Sequence, residues 1–323
     1  MISRKEDVPM ITAFVFPGQG SQTVGMGKEL ADAFSPAREV FQEVDDALSQ
    51  NLSTLMFEGP EADLTLTENA QPALMAVSMA VMRVLESECG LDLKKSVRAV
   101  AGHSLGEYSA LAAVGAFTLG DAARLLKKRG QAMQQAVPVG EGAMAALLGL
   151  DLDVVGKIAQ EASAVGVCAV ANDNSPGQVV VSGARAAIDR ALELATEKGA
   201  KRSLLLPVSA PFHCPLMQPA ADAMAEALAS TTIAEPAVPV FANVTAAPTS
   251  DPEEIRDLLV KQVTGTVRWR ECVEAMRASE IERFIEIGAG RVLAGLVKRI
   301  DRSATNMSVG TPADIEALDT ASL

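Results

Sequence analysis

The sequence predicts an α/β fold: a parallel sheet with helices on its faces, interrupted by a second, smaller unit. Three observations predict it. Short apolar runs alternate with longer stretches of helical spacing, the pattern of parallel strands joined by crossover helices. Between residues 141 and 208 the order becomes strand-helix-strand-strand-helix-strand, that of a ferredoxin-like unit. The chain has 323 residues, 49% of them hydrophobic and 21% charged, enough for one large domain holding a small one. The expected division is 1–140 plus 209–323 for the large unit and 141–208 for the insert.

The elements follow in order. Residues 11–16 (ITAFVF) read as a buried strand running into the Gly-rich loop PGQGSQ. Residues 27–49 and 70–86 have helical spacing. Residues 97–101 are a second short strand, and 105–116 and 119–136 are helical. In the insert, 142–150 (GAMAALLGL) is a strand and 151–164 a helix. Two further strands, 166–172 and 178–183, flank the turn DNSPG, and 184–198 is an amphipathic helix. The stretch AKRSLLLPVS then closes the unit with a strand. Beyond it come the strand VPVFANV (238–244), helices near 252–263 and 267–279, the strand RFIEIG (283–288) and the helix RVLAGLVKRI. The last ~20 residues lack clear periodicity and are expected to wrap the surface or fray.

Composition excludes several functions. A net charge of −13 disfavours nucleic acid and anionic membranes as partners. No apolar run approaches the ~18 residues of a spanning helix. The start, MISRKEDVPM, has no apolar core of a secretory signal, so the cytoplasm is the expected compartment. Four cysteines (Cys89, Cys168, Cys214, Cys272) form no C-x-x-C pair, and with only two histidines a His-rich metal centre is not expected.

Gly102-His103-Ser104-Leu105-Gly106 fits G-x-S-x-G, with a strand before it and a helix after. That is the setting of a nucleophilic serine on a sharp turn, where the flanking positions must lack side chains. The following helix aims free backbone N–H groups at the serine, which favours a developing oxyanion. A serine needs a base, and His103 and His213 are the two available. His103 adjoins the serine and should point elsewhere on the turn, leaving His213, in the loop after LPVSAPF. The group that would orient the base stays open at this point among Asp151, Asp153, Asp173 and Asp189. The loop FPGQGSQTVGMG is not a nucleotide cradle: Thr23 stands where a dinucleotide motif needs glycine, and Met26 where a P-loop needs lysine. A second oxyanion donor is the better reading of that loop.

Together FPGQGSQ, TENAQPAL, GHSLGEYSAL, Arg129-Gly130, NDNSPGQVVVSG, LPVSAPFH and EIGAGRVLAGL resemble, in order and over roughly residues 12–300, the malonyl-CoA:acyl carrier protein transacylases. The resemblance implies an α/β-hydrolase-like large domain with a ferredoxin-like insert. It implies Ser104 as nucleophile, His213 as base, and backbone N–H groups of Gln19 and Leu105 as the oxyanion hole. It further implies that the backbone carbonyl of Gln262 replaces the usual aspartate, fixing the histidine tautomer without supplying charge.

Read alone, Arg129 is a cation near a helix end; the resemblance assigns it to the free carboxylate of malonyl, which a guanidinium can bind through two hydrogen bonds. Phe212, Asn172 and Gln178 become substrate contacts by the same resemblance. The expected function is transfer of malonyl from CoA to the phosphopantetheine thiol of acyl carrier protein in fatty-acid or polyketide synthesis. Malonyl-CoA is a substrate, and no cofactor is implied. A serine hydrolase or thioesterase on the same core, and a catalytically silent carrier-protein binder, are the alternatives. Because the carrier is acidic and this chain is too, docking is expected on a local basic surface. Lys201, Arg202, Lys298 and Arg299 are expected to form it, near the cleft mouth.

Overall fold

The structure, a computed structural model, describes residues 10–208, 210–318, 320 and 323. Most of the opening stretch, on which the expectation about an export signal rests, lies outside them, as does Ser209, where the expected large unit resumes. The strands are β1 (Thr12–Phe16), β2 (Ala99–Gly102), β3 (Gly142–Leu148), β4 (Cys168–Ser175), β5 (Gln178–Ala184), β6 (Arg202–Leu205), β7 (Val240–Ala242), β8 (Ala247–Thr249), β9 (Arg283–Ile287) and β10 (Thr305–Val309).

They form two sheets. The larger runs β10-β9-β1-β2-β7-β8, with only the edge strand β8 antiparallel. Every residue of β1, β2 and β9 is buried, as helices on both faces require. Alternate side chains enter two separate cores. Phe14, Phe16, Val100 and Ile285 meet the helices Thr67–Ser87 and Leu119–Gln135. Ala13, Val15, Ala101 and Phe284 meet the helices Trp269–Ala278 and Val292–Ile300.

The smaller sheet, β4-β5-β3-β6, is antiparallel throughout. One face, through Ala145, Leu147, Val179 and Val181, packs on the helices Leu152–Ala162 and Arg185–Glu197. From the other face Met144, Ala146 and Val180 join the core of the large unit. A cleft between the two sheets follows from that arrangement.

Two readings need correction. Residues 27–49 are not one helix: Phe34 is extended (φ −127°, ψ 123°), and a new helix, Ser35–Leu48, starts with Pro36 in its first turn, where a missing N–H is tolerated. The tail does not simply fray or wrap: β10 pairs in parallel with β9, and Pro312–Ala317 is helical behind a Thr311/Asp314 capping box. As a sheet-edge strand, β10 is only partly buried, so its sequence TNMSV shows little apolar periodicity.

Candidate active site

The site begins where β1 and β2 end side by side, Phe16 opposite Gly102. The chain then turns through His103 and Ser104 into the helix Gly106–Ala113. Ser104 has φ 53°, in the left-handed region that an L side chain holds only under constraint. The two flanking glycines are required by close approach. A Cβ on Gly102 would lie 1.9 Å from the Gly106 carbonyl group, and one on Gly106 would lie 2.2 Å from Phe16 O.

Ser104 Oγ lies 2.7 Å from His213 Nε2. His213 Nδ1–H donates to the backbone carbonyl of Gln262 at 2.9 Å, which leaves Nε2 as the acceptor for the serine proton. His213 is itself left-handed (φ 57°) and buried. Burial, reinforced by the Arg129 cation, holds its pKa down at about 3, so the ring is neutral at physiological pH. His103 points away from this pair: its Nε2 lies 2.8 Å from Asn174 Oδ1 and its ring packs near Trp269.

Arg129 is 1% exposed. Its guanidinium donates to Gln71 Oε1 (2.9 Å), Gln262 Oε1 (3.0 Å) and Ser104 Oγ (3.1 Å), and lies over the Tyr108 ring. All three acceptors are uncharged, and Nε has no partner among the described residues. Burial lowers its pKa, an expense that a carboxylate partner would offset. The helix-end solvent cation suggested by its position in the sequence is therefore not what the fold builds.

These groups open into a cavity of about 450 Å³. The large unit lines it with Gln19, Leu105 and Phe212 besides Ser104, Arg129 and His213, and the small unit adds Met144, Asn172 and Leu206. Among the described residues, the N–H groups of Gln19 and Leu105 meet no backbone or side-chain acceptor. Gln178 is not brought to this cavity. It opens β5 on the far side of the β4–β5 turn, and its Oε1 accepts from Arg299.

None of the four basic residues lines this cavity. Leu148 pairs with Gln178 on one side and Arg202 on the other, which puts Lys201, Arg202 and Arg299 at one end of the small sheet, while Lys298 lines a hollow with Asn306 and Ser308 of β10. Leu206, just past the other end of β6, lines the cavity. At ~3.3 Å per residue, about 13 Å of strand separates it from Arg202.

Several residues escaped the sequence reading. Asn243, after β7, accepts the Ser104 N–H through Oδ1 (2.8 Å) and donates from Nδ2 to Gly102 O (2.7 Å). The Gln262 side chain donates to Ser104 O (3.0 Å). Glu107 Oε2 accepts from both Asn243 N and Gln262 Nε2 at 2.9 Å, and burial raises its pKa to about 7. A lone carboxylate in the otherwise apolar helix GEYSALAA was the available signal for Glu107. Nothing local marks Asn243.

Fold and cavity are those of an acyl-transferring α/β enzyme, and residues 13–313 match the family model described as acyl transferase domain. The malonyl CoA-acyl carrier protein transacylase of Bacillus subtilis (strain 168) is 45% identical over 305 residues, 94% of this chain and 95% of that one. The acyl-carrier-protein-S-malonyltransferase from Bartonella henselae superposes with a TM-score of 0.93 at 58% identity, covering 95% of this chain and 98% of that one. A malonyl-transacylase solved in complex with a type II PKS acyl-carrier protein superposes at 0.92, with 42% identity and coverage of 95% and 98%. The chain belongs to this family, the malonyl-CoA:acyl carrier protein transacylases.

Proposed function

We propose that this chain moves malonyl from CoA to the phosphopantetheine thiol of acyl carrier protein through an ester on Ser104, in fatty-acid or polyketide synthesis. The observation that carries the malonyl reading is a buried cation, Arg129, held by neutral acceptors within hydrogen-bond reach of the nucleophile. A malonyl group has its carboxylate one methylene from the reacting carbonyl, so one cation beside the serine can hold it.

His213 Nε2 takes the Ser104 proton as Oγ attacks the thioester carbonyl. The N–H groups of Gln19 and Leu105 stabilise the tetrahedral oxyanion. His213 then protonates the departing CoA thiolate, and the carrier thiol attacks the malonyl-serine in the second half of a ping-pong cycle. The Gln262 carbonyl keeps the imidazole in the tautomer that accepts at Nε2. These steps call on no metal or redox cofactor. We assign residues 1–140 and 209–323 to the catalytic unit and 141–208 to an insert that walls the cavity with Met144, Asn172 and Leu206. The cytoplasm is the compartment we assign; four cysteines with free thiols support it, and no described helix is long and apolar enough to cross a membrane.

Mass spectrometry after mixing with malonyl-CoA tests the reading. A malonyl ester on Ser104 is expected, stable until a thiol acceptor is added. Rapid loss to water would make the protein a hydrolase, and no adduct would make it a silent binder.

A further inference from the structure

The reacting groups are held by two side-chain amides, and an amide can be turned through 180° with its oxygen and nitrogen exchanged. Asn243 must present oxygen to the Ser104 N–H. Gln262 must present nitrogen to Ser104 O and oxygen to Arg129 Nη2. An exchanged Gln262 would face the guanidinium with N–H groups and leave the Ser104 carbonyl without its side-chain donor.

Three neighbours select the working arrangement: Arg129 donates to the Gln262 oxygen, while the Ser104 carbonyl and Glu107 accept from its nitrogen. Glu107 Oε2 lies 2.9 Å from Gln262 Nε2 and 2.9 Å from the backbone N of Asn243. Oε2 accepts the Asn243 N–H and accepts from the Gln262 nitrogen as well, which leaves the Gln262 oxygen facing Arg129. The same oxygen ties the residue after β7 to the helix Pro252–Thr264, whose Gln262 carbonyl holds His213. Glu107 is 3% exposed and is absent from the cavity lining; its backbone N–H donates to Ser104 O, and its carboxyl group makes its hydrogen bonds to Asn243 and Gln262.

We propose that Glu107 is a positioning residue whose Oε2, together with Arg129 and the Ser104 carbonyl, holds the orientation of the Gln262 amide and fixes the place of Asn243, and through them the alignment of Ser104, His213 and Arg129. The inference rests on acyl transfer through Ser104 as proposed above. Because Glu107 acts through groups that align Ser104, His213 and Arg129, its loss lowers the rate constant of acylation by bound malonyl-CoA.

Three variants separate position from charge, with single-turnover acylation followed by mass spectrometry. Glu107→Gln keeps an acceptor oxygen at the same reach and loses about two- to fivefold. Glu107→Asp keeps the charge but withdraws the oxygen by one methylene, and loses about ten- to thirtyfold. Glu107→Leu removes the acceptor and loses on the order of a hundredfold, the scale of an ångström-sized misplacement. If the leucine variant does not fold, the order of the other two still decides. An Asp variant as fast as the Gln variant, or folded variants all at the wild-type rate, overturns the proposal. A wild-type protein that forms no malonyl-serine overturns the underlying acyl-transfer reading instead.

Discussion

Arg129 Nη2 lies 3.1 Å from Ser104 Oγ, so the buried cation and the proposed nucleophile share one hydrogen bond. A substrate carboxylate on that guanidinium places its own carbonyl carbon close to the serine. Arg129→Ala leaves the carboxylate desolvated and unpaired, a loss of roughly 3–5 kcal/mol. Malonyl transfer falls on the order of a hundredfold to a few thousandfold. Acetyl carries no charge, and its transfer through the same serine should rise to a measurable rate. Comparing both acyl-CoA substrates on the variant checks this; equal losses would mean that Arg129 supports structure without selecting substrate.

His213 gives a pH prediction of definite sign. In the proposed mechanism the working base is the neutral ring, and a pKa of about 3 keeps it neutral far below the ordinary histidine range. Falling pH therefore should not remove this base near 6.5. The unfolded chain does take up that proton near 6.5, so this group stabilises the fold above 6.5 and its contribution is lost as pH falls toward 3. With two histidines in the chain, the ring resonances can be followed directly by NMR. Neither should titrate near 6.5, since burial also lowers His103. In Arg129→Ala the His213 titration should move upward, because one cause of its depression is gone.

The strained turn predicts a difference between two inactive variants. Ser104→Ala and Ser104→Gly both lose the acyl ester, but only glycine relaxes at a φ of 53°. Ser104→Gly should be the more stable by about 1 kcal/mol, visible in thermal melts. Equal melting temperatures would show that the turn holds no strain at this residue.

If the expected docking surface is used, charge reversal at Lys201, Arg202, Lys298 and Arg299 weakens transfer to the carrier protein and hardly changes acylation by malonyl-CoA. Lys201, Arg202 and Arg299 share one end of the small sheet, Lys298 lies beside β10, and none of the four lines the cavity. Half-reactions measured separately decide it, and equal losses in both would remove these residues from the docking surface.

How much was legible depended on how local each signal was. The Ser104 turn announces itself because sheet, turn and helix are contiguous and its two glycines have no substitutes. Arg129 looked like a surface cation because nothing nearby in the chain reveals that Gln71 and Gln262 will enclose it. Asn243 and the Gln262 side chain were silent for the same reason: their partners come from other strands and helices. β10 was missed because an edge strand with one paired neighbour needs no apolar face. Helices at 27–49 merged because spacing continues through Phe34, while the break depends on backbone dihedrals.

The hydrogen bonds beneath the turn also set a timetable for synthesis. Asn243, which takes the Ser104 N–H, is 139 residues downstream, and Gln262, which donates to the Ser104 carbonyl, is 158 downstream. At ~5–20 residues per second, a ribosome needs roughly 8 to 30 s to pass from the nucleophile to the residue that anchors its base. During that interval the nascent chain carries a serine and, once residue 129 is made, a cation, but no complete relay. A chain stalled before residue 262 lacks the carbonyl that accepts from His213, and is expected not to load malonyl.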